Sequence, residues 1–253
     1  PAAGVLGALW RFYATPMVFA FDHFFGYFAG TVYDTELGGL GALASFRAGT
    51  LLALFAAGAI ASLLRRQGRG FVLVAAPSRW ALAVAALSAV GTVTHALAGA
   101  GLGHWSTSAS IARALGGREI GERCEVSHST AIAPDQARRL LRDCEAHVRE
   151  LEAFWGVSAP PRIRVFLFAS AEEKGRFMGA TRTQIAKPWR EEIYLQQAAF
   201  PHPVLRHELA HVVAGAFGVG PFRVAGPLGG LIPDPGRIEG VAEASAPDDD
   251  ADL

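Results

Sequence analysis

The stretch His202-Pro-Val-Leu-Arg-His-Glu-Leu-Ala-His-Val-Val-Ala-Gly-Ala-Phe217 decides how the whole chain is read. Pro203 suits the first turn of a helix. Val204, Leu205, Leu209, Val212, Val213 and Phe217 supply apolar contacts around it, and Gly215 and Gly218 mark its end. Within it, His207-Glu-Leu-Ala-His211 fits the pattern H-E-x-x-H. Histidines four apart on a helix stand one turn above each other on the same face, so both imidazoles can reach one metal ion. Glu208 is then placed to hold that metal's water. Imidazole and carboxylate donors suit zinc, and a catalytic zinc site keeps three protein ligands plus one open position. The competing reading is an ordinary helix whose two histidines are satisfied by hydrogen bonds, and a third ligand decides between the two.

Downstream lies Arg237-Ile-Glu-Gly-Val-Ala-Glu-Ala244, in which Glu239 and Glu243 share one helical face. Glu239 can complete a zinc site, with Glu243 behind it as the acceptor that orients a ligand histidine. The two phrases together resemble those of the gluzincins, the metallopeptidase group that includes thermolysin and many zinc aminopeptidases, and especially the membrane-anchored bacterial peptidase MA-like proteins. The resemblance covers roughly Arg118 to Ala246. It implies an α+β, zincin-like domain with His207, His211 and Glu239 as ligands to one zinc per chain and Glu208 as general base. Metzincins require a glycine and a third histidine where Ala214 and Phe217 stand, so that family is excluded. Intramembrane metalloproteases take an aspartate from a later membrane helix, and Asp234 in Pro233-Asp-Pro-Gly236 is superficially similar. Against this, His202 to Gly230 holds no second apolar run long enough to span, and Arg206 abuts the ligand pair.

Apolar residues make up 51% of the chain and charged residues only 18%, with a mean hydropathy of +0.26. The apolar residues concentrate before residue 102 and the charges crowd after residue 117, which points to a membrane part followed by a soluble part. The net charge is zero, so nothing suggests nucleic acid. The chain begins at Pro1 and stops in an acidic tail, so it can be a piece of a longer protein, truncated at its C-terminus.

Residues 1–104 read as the membrane region. Ala48 to Leu64 and Trp80 to Gly101 are the two candidate spans, the second holding His95, read as structural, among small residues that suit close helix packing. Ala14 to Val32 is apolar and aromatic but interrupted by Asp22-His23. It reads as an interfacial or re-entrant segment, or as a spanning helix in which Asp22 and His23 are functional. The loop between the spans carries Arg65, Arg66, Arg69 and Arg79. Basic loops stay on the cytoplasmic side, so everything after Gly101 belongs on the extracytoplasmic, periplasmic face of a bacterial inner membrane. No cleavable signal peptide is evident.

Residues 105–253 read as the catalytic domain. Glu122 to His128 alternates like a strand, Pro134 to Trp155 is a helix, Arg162 to Phe168 a strand, Ala171 to Met178 a short helix and Arg190 to Gln196 a strand before the zinc helix. Cys124 and Cys144 either pair in an oxidising compartment or are two buried small hydrophobes. In the fold that the resemblance implies, the strand before the zinc helix borders the cleft, which nominates Ile193, Tyr194, Leu195 and Gln196 for substrate contact. An ordinary core strand is the competing reading. Lys187-Pro-Trp-Arg190 either binds a substrate carboxylate or packs at the domain surface.

The expected chemistry is metal-assisted amide hydrolysis of a peptide or protein substrate. Related peptidases add a tyrosine or histidine oxyanion donor, usually after the third ligand, yet neither follows Glu243 here. Alternatives are a zincin-fold binding or scaffold module without turnover, and a membrane protein whose site is Asp22 and His23. The oligomeric state is not legible.

Overall fold

A computed structural model of the chain describes residues 2–18, 20–23, 26–28 and 40–245. These form two compact units, one comprising the residues up to Ser106 with 176–179, the other comprising the rest.

The first unit begins with helix α1 (Ala2–Ala14), then pairs β1 (Ala20–Asp22) antiparallel with β2 (Gly26–Phe28). The spanning-helix reading of Ala14 to Val32 is therefore wrong. A helix cannot pass through Asp22 when Ala20–Asp22 gives its backbone to a hairpin. Phe19, Phe24, Phe25 and residues 29–32 of that stretch lie outside the described residues. Helix α2 (Leu40–Ala61) and helix α3 (Arg79–Leu97) follow, with Ser78 capping α3 by accepting from the Ala81 N–H. The first span ends earlier than Leu64, because Leu64 opens strand β3 (Leu64–Gln67), which folds back on β4 (Gly70–Leu73). The Arg65–Arg79 connection is thus a hairpin plus a short link.

Helices α2 and α3 run antiparallel. Gly49 lies under the His95 ring, and a Cβ there would collide with it, while Gly91 lies against Leu52. Both stretches, Gly41–Ala61 and Arg79–Ala100, are long and apolar enough to cross a membrane, each about 30 Å at 1.5 Å per residue. Large apolar side chains of both helices face outward: Leu51, Leu54, Phe55, Leu87, Val90 and Val93 are each more than half exposed. A core helix of a soluble protein buries such residues.

The second unit is a five-stranded sheet in the order β5-β6-β7-β9-β8 with helices on both faces. Its strands are β5 (Gly116–Ile120), β6 (Cys124–Ser129), β7 (Ile163–Phe168), β8 (Ile185–Lys187) and β9 (Glu192–Gln196). Strands β6, β7 and β9 are parallel, and β5 and β8 are antiparallel edges. Helix α4 (Ser108–Leu115) covers one face; α5 (Pro134–Trp155) and α7 (Leu205–Ala214) cover the other. Helix α6 (Ala171–Met178) precedes β8. A single turn α8 (Pro227–Gly230) and helix α9 (Pro235–Glu243) close the described chain. The α+β class of the sequence reading holds.

Helix α5 buries Ala137, Leu140, Cys144, Val148 and Leu151, a stripe at three- and four-residue spacing. They meet Val126, Val165 and Ile193 from the strands and Leu205, Leu209 and Val212 from α7. Strand β7 is buried at nearly every position because both its faces are covered, which explains why its apolar run outlasts strict alternation.

Cys124 of β6 and Cys144 of α5 form a disulfide inside this core, resolving the alternatives in favour of pairing. The bond closes a loop with a sequence separation of 20, which constrains the unfolded chain by about 3 kcal/mol. Reduction, or replacement of both cysteines by alanine, is expected to lower unfolding stability by about that amount in denaturant titrations. A loss near zero would mean that the bond adds nothing beyond its packing.

Candidate metal centre

Helix α7 begins at Leu205, two residues later than Pro203 suggests. The reason is His202, which is buried with its Nε2 2.8 Å from the carbonyl of Gln196. That contact ties the residues before the helix to the end of β9. From Leu205 onward the helix is two-faced. Leu205, Leu209, Val212 and Val213 are in the core, while His207 and His211 face outward, half-buried.

Asp234 caps α9 by accepting from the Arg237 N–H at 3.3 Å, and Pro235 occupies the first turn. Ala242 buries the C-terminal end of α9 against the α7 side of the core. That contact turns Glu239 and Glu243 toward the histidines. Nε2 of His207 lies 3.1 Å from Glu239 Oε2 and 3.1 Å from Nε2 of His211, and the third edge, His211 Nε2 to Glu239 Oε2, is 3.6 Å. A tetrahedron with metal–ligand bonds of about 2.0–2.2 Å has edges of about 3.3–3.6 Å. The three atoms therefore have nearly the dimensions of one face of a zinc tetrahedron, and the donor set suits that ion. Hydrogen bonding alone does not account for all three edges. Each neutral Nε2 either donates or accepts, so if both donate to Glu239 two N–H groups oppose each other across 3.1 Å.

The surroundings match this arrangement. Burial, and the neighbouring imidazole of His207, hold His211 below the ordinary imidazole range against the pull of Glu239. The other ring nitrogen of His207, Nδ1, lies 3.4 Å from Glu243 Oε1, where an acceptor fixes the tautomer that leaves Nε2 facing the centre. Glu243→Gln is expected to weaken zinc binding about 10–100-fold, measured by competition with a chromogenic chelator. An unchanged affinity would make the contact incidental.

Glu208 is buried, unlike the histidines on either side of its turn. Burial first, and the Glu239 carboxylate second, push its carboxyl up to about 8, opposed by Lys174 and by a hydrogen bond from the Ala186 backbone. Sharing Glu239 with a cation removes that repulsion and favours the ionised form.

Two residues outside the motif hold the centre together. Arg206 donates from Nε to the Ser245 carbonyl at 2.8 Å and pairs with Glu150 of α5, so it joins the end of α9 to α7 and α5. Sequence reading noted Arg206 only as a charge beside the ligands; its partners lie far away in the chain, and nothing local marks them. Ala186 of β8 was missed because a three-residue strand before Pro188 gives no alternation to count.

The nomination of Ile193, Tyr194 and Leu195 for substrate contact is corrected. Strand β9 is internal, paired with β7 on one side and β8 on the other, and all three residues are fully buried. The edge next to α7 is β8, which turns back antiparallel between α6 and β9. The Lys187–Arg190 segment is a packed network rather than an open carboxylate site. Arg190 is 2.6 Å from buried Glu192, and Trp189 meets Phe222 edge-on at 5.0 Å. A cavity of about 80 Å³ opens beside His211, lined mainly by Ala214, Phe217, Val219, Val224, Ile238 and Val241.

Asp234 is occupied as a helix cap and lies outside the ligand group. In the first unit, Asp22 is buried in β1, and His23 Nδ1 lies 2.8 Å from Thr50 Oγ1 while its carbonyl accepts from Arg47. His95 lies over Gly49, 3.5 Å from the Ser45 hydroxyl, a packing position in accord with the sequence reading.

The chain matches no protein-family model, no curated protein and no solved structure. What the site can do therefore rests on its own geometry.

Proposed function

We propose that the chain is a zinc-dependent peptidase of gluzincin type, with a zincin-like catalytic unit held in a membrane by α2 and α3. The observation that carries this reading is the convergence of His207, His211 and Glu239 on one tetrahedral face, with the carboxylate of Glu208 on the same helix. Zinc bound there supplies an acidified water and a Lewis acid for the scissile carbonyl. His207 and His211 present their Nε2 atoms, and Glu243 holds the His207 ring in register. Glu208 takes the proton of the attacking water and returns it to the leaving amine. Strand β8 is the open edge of the sheet beside α7, and an extended peptide can add to it as a sixth strand. The cavity beside His211 then takes a small apolar side chain of that peptide.

The placement follows from the same chain. Arg65, Arg66 and Arg69 between α2 and α3, with Arg79 opening α3, favour the cytoplasmic side for that loop, which supports an outside position for the residues after α3. The Cys124–Cys144 disulfide accords with an oxidising extracytoplasmic compartment.

The test uses the full chain purified in detergent. It is expected to carry one zinc, measured by mass spectrometry of metal content, and to cleave members of a mixed peptide library. A chelator stops the cleavage and added zinc restores it. A chain that binds no zinc overturns the proposal. Zinc without cleavage favours the second reading, a zinc-binding module without turnover.

A further inference from the structure

The β3–β4 hairpin is out of place as an element facing water. All eight of its strand residues are exposed, among them Leu64, Phe71 and Leu73, the last two more than 70%. A lone two-stranded hairpin is marginal in water, and one that shows apolar side chains to water has nothing to stabilise it. The register alternates the two chemistries. Arg66 faces Phe71 across the pair and Arg65 faces Val72, so each side of the hairpin sets a guanidinium beside an apolar group. That is the arrangement of a segment lying at headgroup depth, with apolar groups in the acyl region and cations among phosphates.

The charge at this end of the helix pair is one-sided. Arg65, Arg66, Arg69 and Arg79 are all exposed, and the sequence holds no aspartate or glutamate from residue 37 to residue 118. No salt bridge engages any of the four among the described residues. From the same end a groove of about 590 Å³ runs down between the helices, lined by Leu54, Phe55, Ala59 and Ser62 of the α2 side and Trp80 and Val84 of α3. Ser62 and Leu54 are eight residues apart, about 12 Å along the helix axis. Trp80, 76% exposed and next to Arg79, stands at the mouth, where an indole bridges the headgroup and acyl layers.

We propose that this end of the helix pair is a binding site for an anionic phospholipid, its headgroup drawn by the combined positive charge of Arg65, Arg66, Arg69 and Arg79 and one acyl chain laid in the groove. Charge complementarity selects the headgroup, and the apolar lining selects a lipid over a free anion. The site rests on the reading of α2 and α3 as membrane spans and is independent of zinc chemistry.

The experiment is native mass spectrometry of the full chain in neutral detergent, with equimolar phosphatidylglycerol and phosphatidylcholine added. The span reading is checked first by carbonate extraction from phosphatidylcholine vesicles; a chain released by carbonate fails as a membrane span, and the lipid site falls with it. With the chain retained, phosphatidylglycerol adducts are expected to outnumber phosphatidylcholine adducts at least tenfold. The variant R65Q/R66Q/R69Q/R79Q loses the preference, and the corresponding four-lysine variant keeps most of it, which separates lost charge from lost fold. Gly58→Leu, which narrows the groove, lowers retention of the lipid. Equal adducts in the wild type, or a preference that survives the glutamine variant, overturns the proposal. Displacement by millimolar inorganic phosphate overturns it too, since that describes an anion site without an acyl groove. A lipid-free dimer as the main species would give the groove to a second copy instead.

Discussion

On the proposed zinc-peptidase reading, Glu208→Gln is expected to leave one zinc per chain bound and to lower peptide hydrolysis by about 10²–10⁴-fold, the usual contribution of a positioned acid–base group. Glutamine keeps the shape of the buried side chain and can still accept from the Ala186 N–H, so the fold around α7 is preserved. It cannot take a proton from water. The measurement is kcat beside metal content on the same sample. Full activity in the variant removes Glu208 from the mechanism, and loss of zinc with activity gives it a structural role instead.

The second large effect is on metal binding. Glu239→Ala takes away the one ligand that α9 contributes and is expected to weaken zinc by about 100-fold or more, beyond the range for partners behind the ligands. Asp234→Ala is the matched control on the same helix. It removes the cap, costs about 0.5–2 kcal/mol of helix stability, and leaves zinc affinity close to that of the wild type. If instead Asp234→Ala loses the metal and Glu239→Ala keeps it, the third ligand has been misassigned and the intramembrane type of site returns.

The parts of this site that are local in the chain are legible in it. His207, Glu208 and His211 are fixed by helical spacing, and the spacing of Glu239 and Glu243 predicts a shared face that α9 presents to the histidines. Helices α5 and α6 and strand β7 also follow from periodicity, because their buried stripes are long or regular. The sheet order does not. Placing β9 inside the sheet requires knowing that three residues, Ile185–Lys187, form a strand of their own outside it, and so short a segment has no pattern. The β1–β2 hairpin failed for a related reason. Its aromatic run has the composition of a span, and the pairing of Ala20–Asp22 with Gly26–Phe28 is a choice that composition does not register. The disulfide was undecidable because pairing depends on how α5 lies on β6, and spacing carries no such information.

The contact of Arg206 with the Ser245 carbonyl and Glu150 sets an order of events during biogenesis. Synthesis runs from the N-terminus, so His207 and His211 emerge before α9 exists. Two imidazoles on one helix make a half-site from which an ion exchanges readily. On the proposed zinc reading, firm retention would wait until α9 has docked on α7, where Glu239 lies 3.1 Å from His207. On that reading, an immature chain would be inert toward its neighbours, and stable acquisition of the metal would mark completed maturation.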